Sequence, residues 1–290
     1  MWPLASATKK KQIRIFALSE CLYQGVELIQ ALARQHQVED DLQLERLYPE
    51  KVEILNADVD LDGASAHNDP KTNTLRFKES HFNHVIPKIV TDLLEENSIT
   101  ARPLIIENLW NDMCLLRVSL HELYHRSIYD ANAKRENKSL TFRAAVESLD
   151  YQNSSGVEMS RNLDYDSTEE ALVEFMCNLQ AVQKFKELED AYVNEIGEVL
   201  KDVKLAKKVY ETLLEILPHY ANSTKYNNYN KAFQKILTDL EEKSGLSLDN
   251  LISLAQKTMF NSSNRDFLDL FIKHFDKPYF YVLDEYLAKK

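Results

Sequence analysis

The chain is poor in the residues that punctuate or staple a fold: its 290 residues include 3 Cys, 5 Gly and 7 Pro. So few glycines and prolines exclude a collagen-like or low-complexity chain. The thiols Cys21, Cys114 and Cys177 are scattered and none lies in a CxxC pair, which excludes a disulfide framework or a thiolate zinc site and makes a reducing compartment the default. Long apolar runs are also lacking. No stretch approaches the length of a membrane span, and the opening MWPLASATKKKQIRIFALSE has neither the apolar core nor the cleavage site of a secretory signal. The expectation is a cytoplasmic protein, although export by a signal-independent route would leave no mark of this kind. Basic residues are outnumbered, 35 Lys+Arg against 46 Asp+Glu for a net charge of −11, the wrong sign for neutralising phosphates or coating an anionic membrane. Neither nucleic acid nor a membrane is expected as a partner. What remains, 44% hydrophobic and 28% charged residues, is a globular composition with length for a sizeable core.

Along the chain, Ile15, Leu18, Leu22, Val26, Ile29 and Leu32 recur at helical spacing and predict a helix over 12–35, although the QIRIF stretch could begin as a strand. Val52–Leu55 reads as a strand, and Gly63–Phe77 as a hairpin turned by Asn68-Asp69-Pro70. Helical period returns over Phe82–Leu94 and over Ile105–Ile128, the latter with Pro103 suited to a first turn. After the polar connection Ala131–Asp166, with its apolar cluster Leu140 to Val146, nearly everything is helix-like: Leu172–Val193, Val203–Leu217, Ala232–Leu240, Leu248–Met259 and Phe267–Phe275. Four sequons at Asn137, Asn153, Asn222 and Asn261 read as exposed polar loops. The fold expected is α+β and mostly α.

The informative string is Leu115–Ser127, LLRVSLHELYHRS, with His121-Glu122-Leu123-Tyr124-His125 at its centre. On a helix, positions i and i+4 share a face, so both imidazoles can reach one metal while Glu122, one residue on, faces the open coordination position. A hydrolytic zinc needs that arrangement: the ion activates a water and the carboxylate takes its proton. With 8 His in 290 residues, chance supplies on the order of 0.02 such motifs. Leu115, Leu116, Val118 and Leu120 place the segment in a core, where buried His and Glu need partners.

Through HELYH on a helix that closes an N-terminal half containing a short sheet, the chain resembles the zincin metallopeptidases. The metzincin pattern asks for a glycine at position 128 and a histidine at position 131, where this chain has Ile128 and Ala131. That leaves the gluzincin branch, whose third zinc ligand is a Glu on a later helix. Ser167-Thr168-Glu169-Glu170-Ala171-Leu172-Val173-Glu174 is similar to that ligand helix. The resemblance implies Zn²⁺ held by His121, His125 and Glu170, Glu122 as general base, and Glu174 behind a ligand imidazole. Glu169 competes for the third position, being nearer the apolar face set by Leu172, Phe175 and Leu179, and Ser167 to Glu170 also reads as a capping box. The resemblance further implies an edge strand, taken as Thr72–Phe77, that pairs with an extended peptide. Because Ala131–Asp166 joins two halves that would share one metal site, it reads as a connection within one continuous catalytic body, with an N-terminal subdomain over 1–130 and a helical subdomain over 131–290. Tyr165, His219, Tyr220, Tyr226 and Tyr229 are the choices for stabilising an oxyanion, none marked by spacing. His67, His81 and His84 could make a separate metal cluster, but His81 and His84, near a helix start, read as surface residues, and the cysteines read as small hydrophobes. The function implied is zinc-dependent hydrolysis of a protein or peptide substrate; the alternative is a catalytically silent scaffold of the same shape that binds a regulatory partner.

Overall fold

A computed structural model describes residues 9–37, 47–56, 58–59, 66–69, 72–82, 84–100, 103–128, 166–220, 224–260 and 264–288. The described chain is α+β and mostly helical, with a small three-stranded mixed sheet. The connection over 131–165, the four sequons and Tyr165 lie outside the described residues. Among the described residues no helix is long and apolar enough to cross a membrane. Two compact units are each assembled from three stretches of chain: residues 1–25, 49–122 and 177–222 in one, 26–48, 123–176 and 223–290 in the other. Helices α1 (Lys9–Gln35), α3 (Leu104–Ile128) and α4 (Asp166–Glu187) run from one set of stretches into the other.

In the first unit, β1 (Lys51–Leu55), β2 (Ala66–Asp69) and β3 (Thr74–Lys78) make a sheet of order β1-β3-β2. The hairpin β2–β3 is antiparallel with Ala66 opposite Phe77, and β1 joins β3 in parallel with Val52 opposite Leu75. Thr72–Phe77 is therefore not an edge: β3 is the central strand, because β1 occupies the side that a lone hairpin would leave open. Leu75 and Phe77 on one face of β3 are fully buried. On the other, Arg76 donates Nε to Glu53 at 2.9 Å and Nη1 to Asp69 at 3.1 Å, tying both outer strands to the middle one.

A 3₁₀ turn (Glu79–Phe82) follows, and α2 spans Lys88–Glu96. The helix expected from Phe82 cannot pass Pro87, which lacks an N–H and disfavours helical geometry at the residue before it; Pro87 is instead the N-cap residue. The extended stretch before it is held by α3, where Asn111 accepts the His84 N–H at 2.7 Å and the Trp110 indole donates to the Val85 carbonyl at 3.1 Å. The predicted helix 172–193 is likewise two, broken at Leu188, where α4 ends and α5 (Glu189–Leu200) begins. Helix α6 (Val203–Ile216) is capped by Asp202, whose carboxylate accepts from Lys204 N and Leu205 N at 2.9 and 3.0 Å.

The second unit contains α7 (Thr224–Ser244), α8 (Leu248–Phe260), α9 (Asp266–Phe275) and α10 (Tyr279–Ala288). Their core is aromatic: Phe271 meets Tyr279 at 4.9 Å and Phe267 at 5.2 Å between ring centres, and Phe233 meets Phe175 of α4 at 5.1 Å. Offset and edge-on ring pairs at these separations add to the stabilisation from burial alone.

Candidate metal centre

Two helices position the site with segments that are buried on every side. Met113–Arg117 of α3 are buried without interruption, as are Ala171–Asn178 of α4. Helices buried all round are central elements and not surface ones with a single apolar stripe. Polar side chains on them must therefore find partners among themselves. Arg117 Nε donates to Asn178 Oδ1 at 2.6 Å, both side chains being buried. One and two turns further along α3, the polar residues are His121 and His125.

Around His125 the geometry is explicit. Glu169 Oε1 lies 2.7 Å from Nδ1, and Glu170 Oε1 lies 3.4 Å from Nε2. Two neighbouring carboxylates on α4 thus address opposite nitrogens of one ring. Burial by itself would lower the pKa of this imidazole; the charge of Glu170 and the hydrogen bond to Glu169 outweigh it and hold the pKa well above its ordinary value.

His121, His125 and Glu170 each offer a ligand atom, all within 4.8 Å of one another, so the three could hold a metal ion. Their chemistry fits one: two imidazole nitrogens and a carboxylate oxygen are donors of the borderline kind that zinc accepts. Ligands at about 2.0–2.1 Å from a tetrahedral ion stand roughly 3.4 Å apart, which is the separation of His125 Nε2 and Glu170 Oε1, 3.4 Å. Glu169 is not in the cluster. Glu122 is buried and belongs to neither donor group found among the described residues.

The other donor group is His121, Glu174 and Cys177, again within 4.8 Å of one another. By sequence Glu174 belongs near the centre and Cys177 to the packing; the structure puts both beside His121. The signal was present in the spacing of 170, 174 and 177, which is i, i+4, i+7 on one helix. Of the oxyanion choices, Tyr220 packs its ring on Trp110 at 4.8 Å and on His84 at 5.5 Å, and Tyr226 lies against Tyr229 at 6.3 Å. His67 is exposed on β2. No protein-family model matches the chain, and no curated protein or solved structure matches it significantly.

Proposed function

We propose that the protein is a zinc-dependent metallopeptidase, similar to the gluzincins, that hydrolyses peptide bonds in a protein or peptide substrate. The observation that supports this reading is the meeting of the HExxH histidines with Glu170, with Glu169 on the far nitrogen of His125. His121, His125 and Glu170 would hold the ion. Zinc bound there supplies Lewis acidity and lowers the pKa of a bound water to roughly 7. Glu122 follows the first ligand directly and lies outside the donor set; it accepts a proton from the attacking water and delivers it to the leaving amine. Glu169 fixes the orientation of His125 by taking the N–H that faces away from Glu170, and Glu174 stands behind His121, a carboxylate oxygen within 4.8 Å of a ring nitrogen. The zincin architecture belongs to this reading.

The test is metal analysis of protein purified without an affinity tag, paired with cleavage of a broad peptide library. The expected result is close to one zinc per chain and a defined cleavage pattern, with turnover in Glu122→Gln falling by at least ~10²-fold while zinc and fold remain, the scale of lost general-base catalysis. A wild-type protein that cleaves nothing, with Glu122→Gln leaving every cellular phenotype intact, makes the chain a silent scaffold. Loss of zinc or of fold in Glu122→Gln removes the central step of the mechanism.

A further inference from the structure

Glu174 and Cys177 stand one turn apart on α4, both buried to within 1% of full burial. A packing role for position 177 asks only for a small apolar group, and alanine or valine would fill it. The residue present is instead a thiol whose sulfur lies within 4.8 Å of both a Glu174 oxygen and a His121 nitrogen. Imidazole, carboxylate and thiol are three donor types that bind divalent transition ions, and the thiolate selects the soft ones over magnesium or calcium.

We propose that His121, Glu174 and Cys177 form an alternative site for a thiophilic divalent cation, competing with the His121–His125–Glu170 set for His121. The competition rests on the first set being a metal site, as proposed above; the donor chemistry of the second set does not. Ligand distances of about 2.0–2.3 Å require the three donors to close in from their present spread. Side-chain rotation supplies this, because Glu174 and Cys177 project from adjacent turns of one helix. Binding displaces the Cys177 thiol proton to solvent. An ion drawn to the second set takes His121 away from the first, so an excess of zinc or cadmium inhibits by relocating a ligand.

Cobalt(II) distinguishes the two sets, because a cobalt–thiolate bond gives a near-ultraviolet charge-transfer band that nitrogen and oxygen ligands do not. The full chain is stripped with chelator and titrated with cobalt(II), with helical content followed by circular dichroism. His125→Ala and Glu170→Ala each disable the first set and leave the second whole. Both are expected to bind one cobalt with the sulfur band, and the band is expected to vanish when Cys177→Ser is added. In the wild-type chain, cadmium in excess is expected to give a sulfur-to-cadmium absorption, with at least tenfold weaker cadmium binding in Cys177→Ser. That arm needs no variant of the first set, so the proposal stays open to refutation even if His125→Ala or Glu170→Ala unfolds. Absence of sulfur absorption in every arm overturns it. If His125→Ala and Glu170→Ala then bind no cobalt, the first set survives as the metal centre; if they hold cobalt unchanged and without the band, the first set falls as well.

Discussion

Glu169 and Glu170 are the same amino acid at adjacent positions, and they face different nitrogens of His125. Glu170 approaches Nε2 of His125, the nitrogen turned toward the donor cluster, whereas Glu169 grips Nδ1 at 2.7 Å. A carboxylate that ligates supplies a bond to the ion; one that orients a ligand typically tunes affinity by about 10–100-fold. In a Cys177→Ser background, which removes the alternative site, Glu170→Ala is therefore expected to abolish stoichiometric zinc. Glu169→Gln in the same background is expected to weaken it by about 10–100-fold, read by competition with a chromophoric chelator. The reverse order of effects would transfer the ligand role to Glu169. The HExxH pair was legible in sequence because i, i+4 is a local relation that any helix enforces. The choice between the two glutamates was not. Helical periodicity locates an apolar face only when the other face is wet, and α4 is buried on all sides from Ala171 to Asn178.

At the scale of elements, the fold departs from the periodic pattern where one interaction overrides it. Pro87 and Leu188 each interrupt a run of correctly spaced apolar residues, and β3 is central because β1, distant in sequence, pairs with it. Caps are local, so their energetics can be anticipated. Asp202→Ala strips two backbone N–H groups of α6 of their acceptor and is expected to cost about 1 kcal/mol of stability, measurable by urea denaturation; an unchanged midpoint would deny the cap its role. A longer-range tie joins the turn after α1 to α8. His36 donates Nε2–H to Gln256 Oε1 at 2.6 Å and accepts at Nδ1 from Ser253 Oγ at 3.2 Å, so the neutral ring satisfies both partners. Burial lowers the His36 pKa, the Gln256 hydrogen bond opposes that, and the nearby Lys257 charge reinforces it. The unfolded chain then binds the proton more readily, so this contribution is complete above the unfolded value of about 6.5 and is lost as pH falls through the lower folded value. Replacing His36 with Gln is expected to flatten the fall in thermal midpoint between about pH 7 and pH 5. Parallel pH profiles for wild type and variant would refute it.

For the whole molecule, each compact unit is assembled from three separated stretches of chain, an interleaving that local periodicity and turn signals do not encode. The class, α+β and mostly helical, was readable because it depends only on local patterns. The convergence of α3 and α4 on a donor cluster was readable only through a motif whose chemistry demands a further ligand. On the proposed reading, that convergence ties metal to stability. Residues 121 and 125 lie on one helix and 170 on another, 45 residues further along the sequence than 125, so the unfolded chain offers no preformed site and an ion bound to the native state alone stabilises it by RT ln(1 + [L]/Kd). At free zinc of 1,000 Kd this is about 4.1 kcal/mol, and for a chain of this size each kcal/mol moves the thermal midpoint by roughly 2 °C. Chelation of the purified protein is therefore expected to lower its midpoint by roughly 8 °C, and readdition of one equivalent of zinc to restore most of it. His121→Ala takes a donor from both sets, so its midpoint should be indifferent to chelator. A wild-type midpoint that ignores both chelator and zinc would mean that these donors hold no ion in the folded protein.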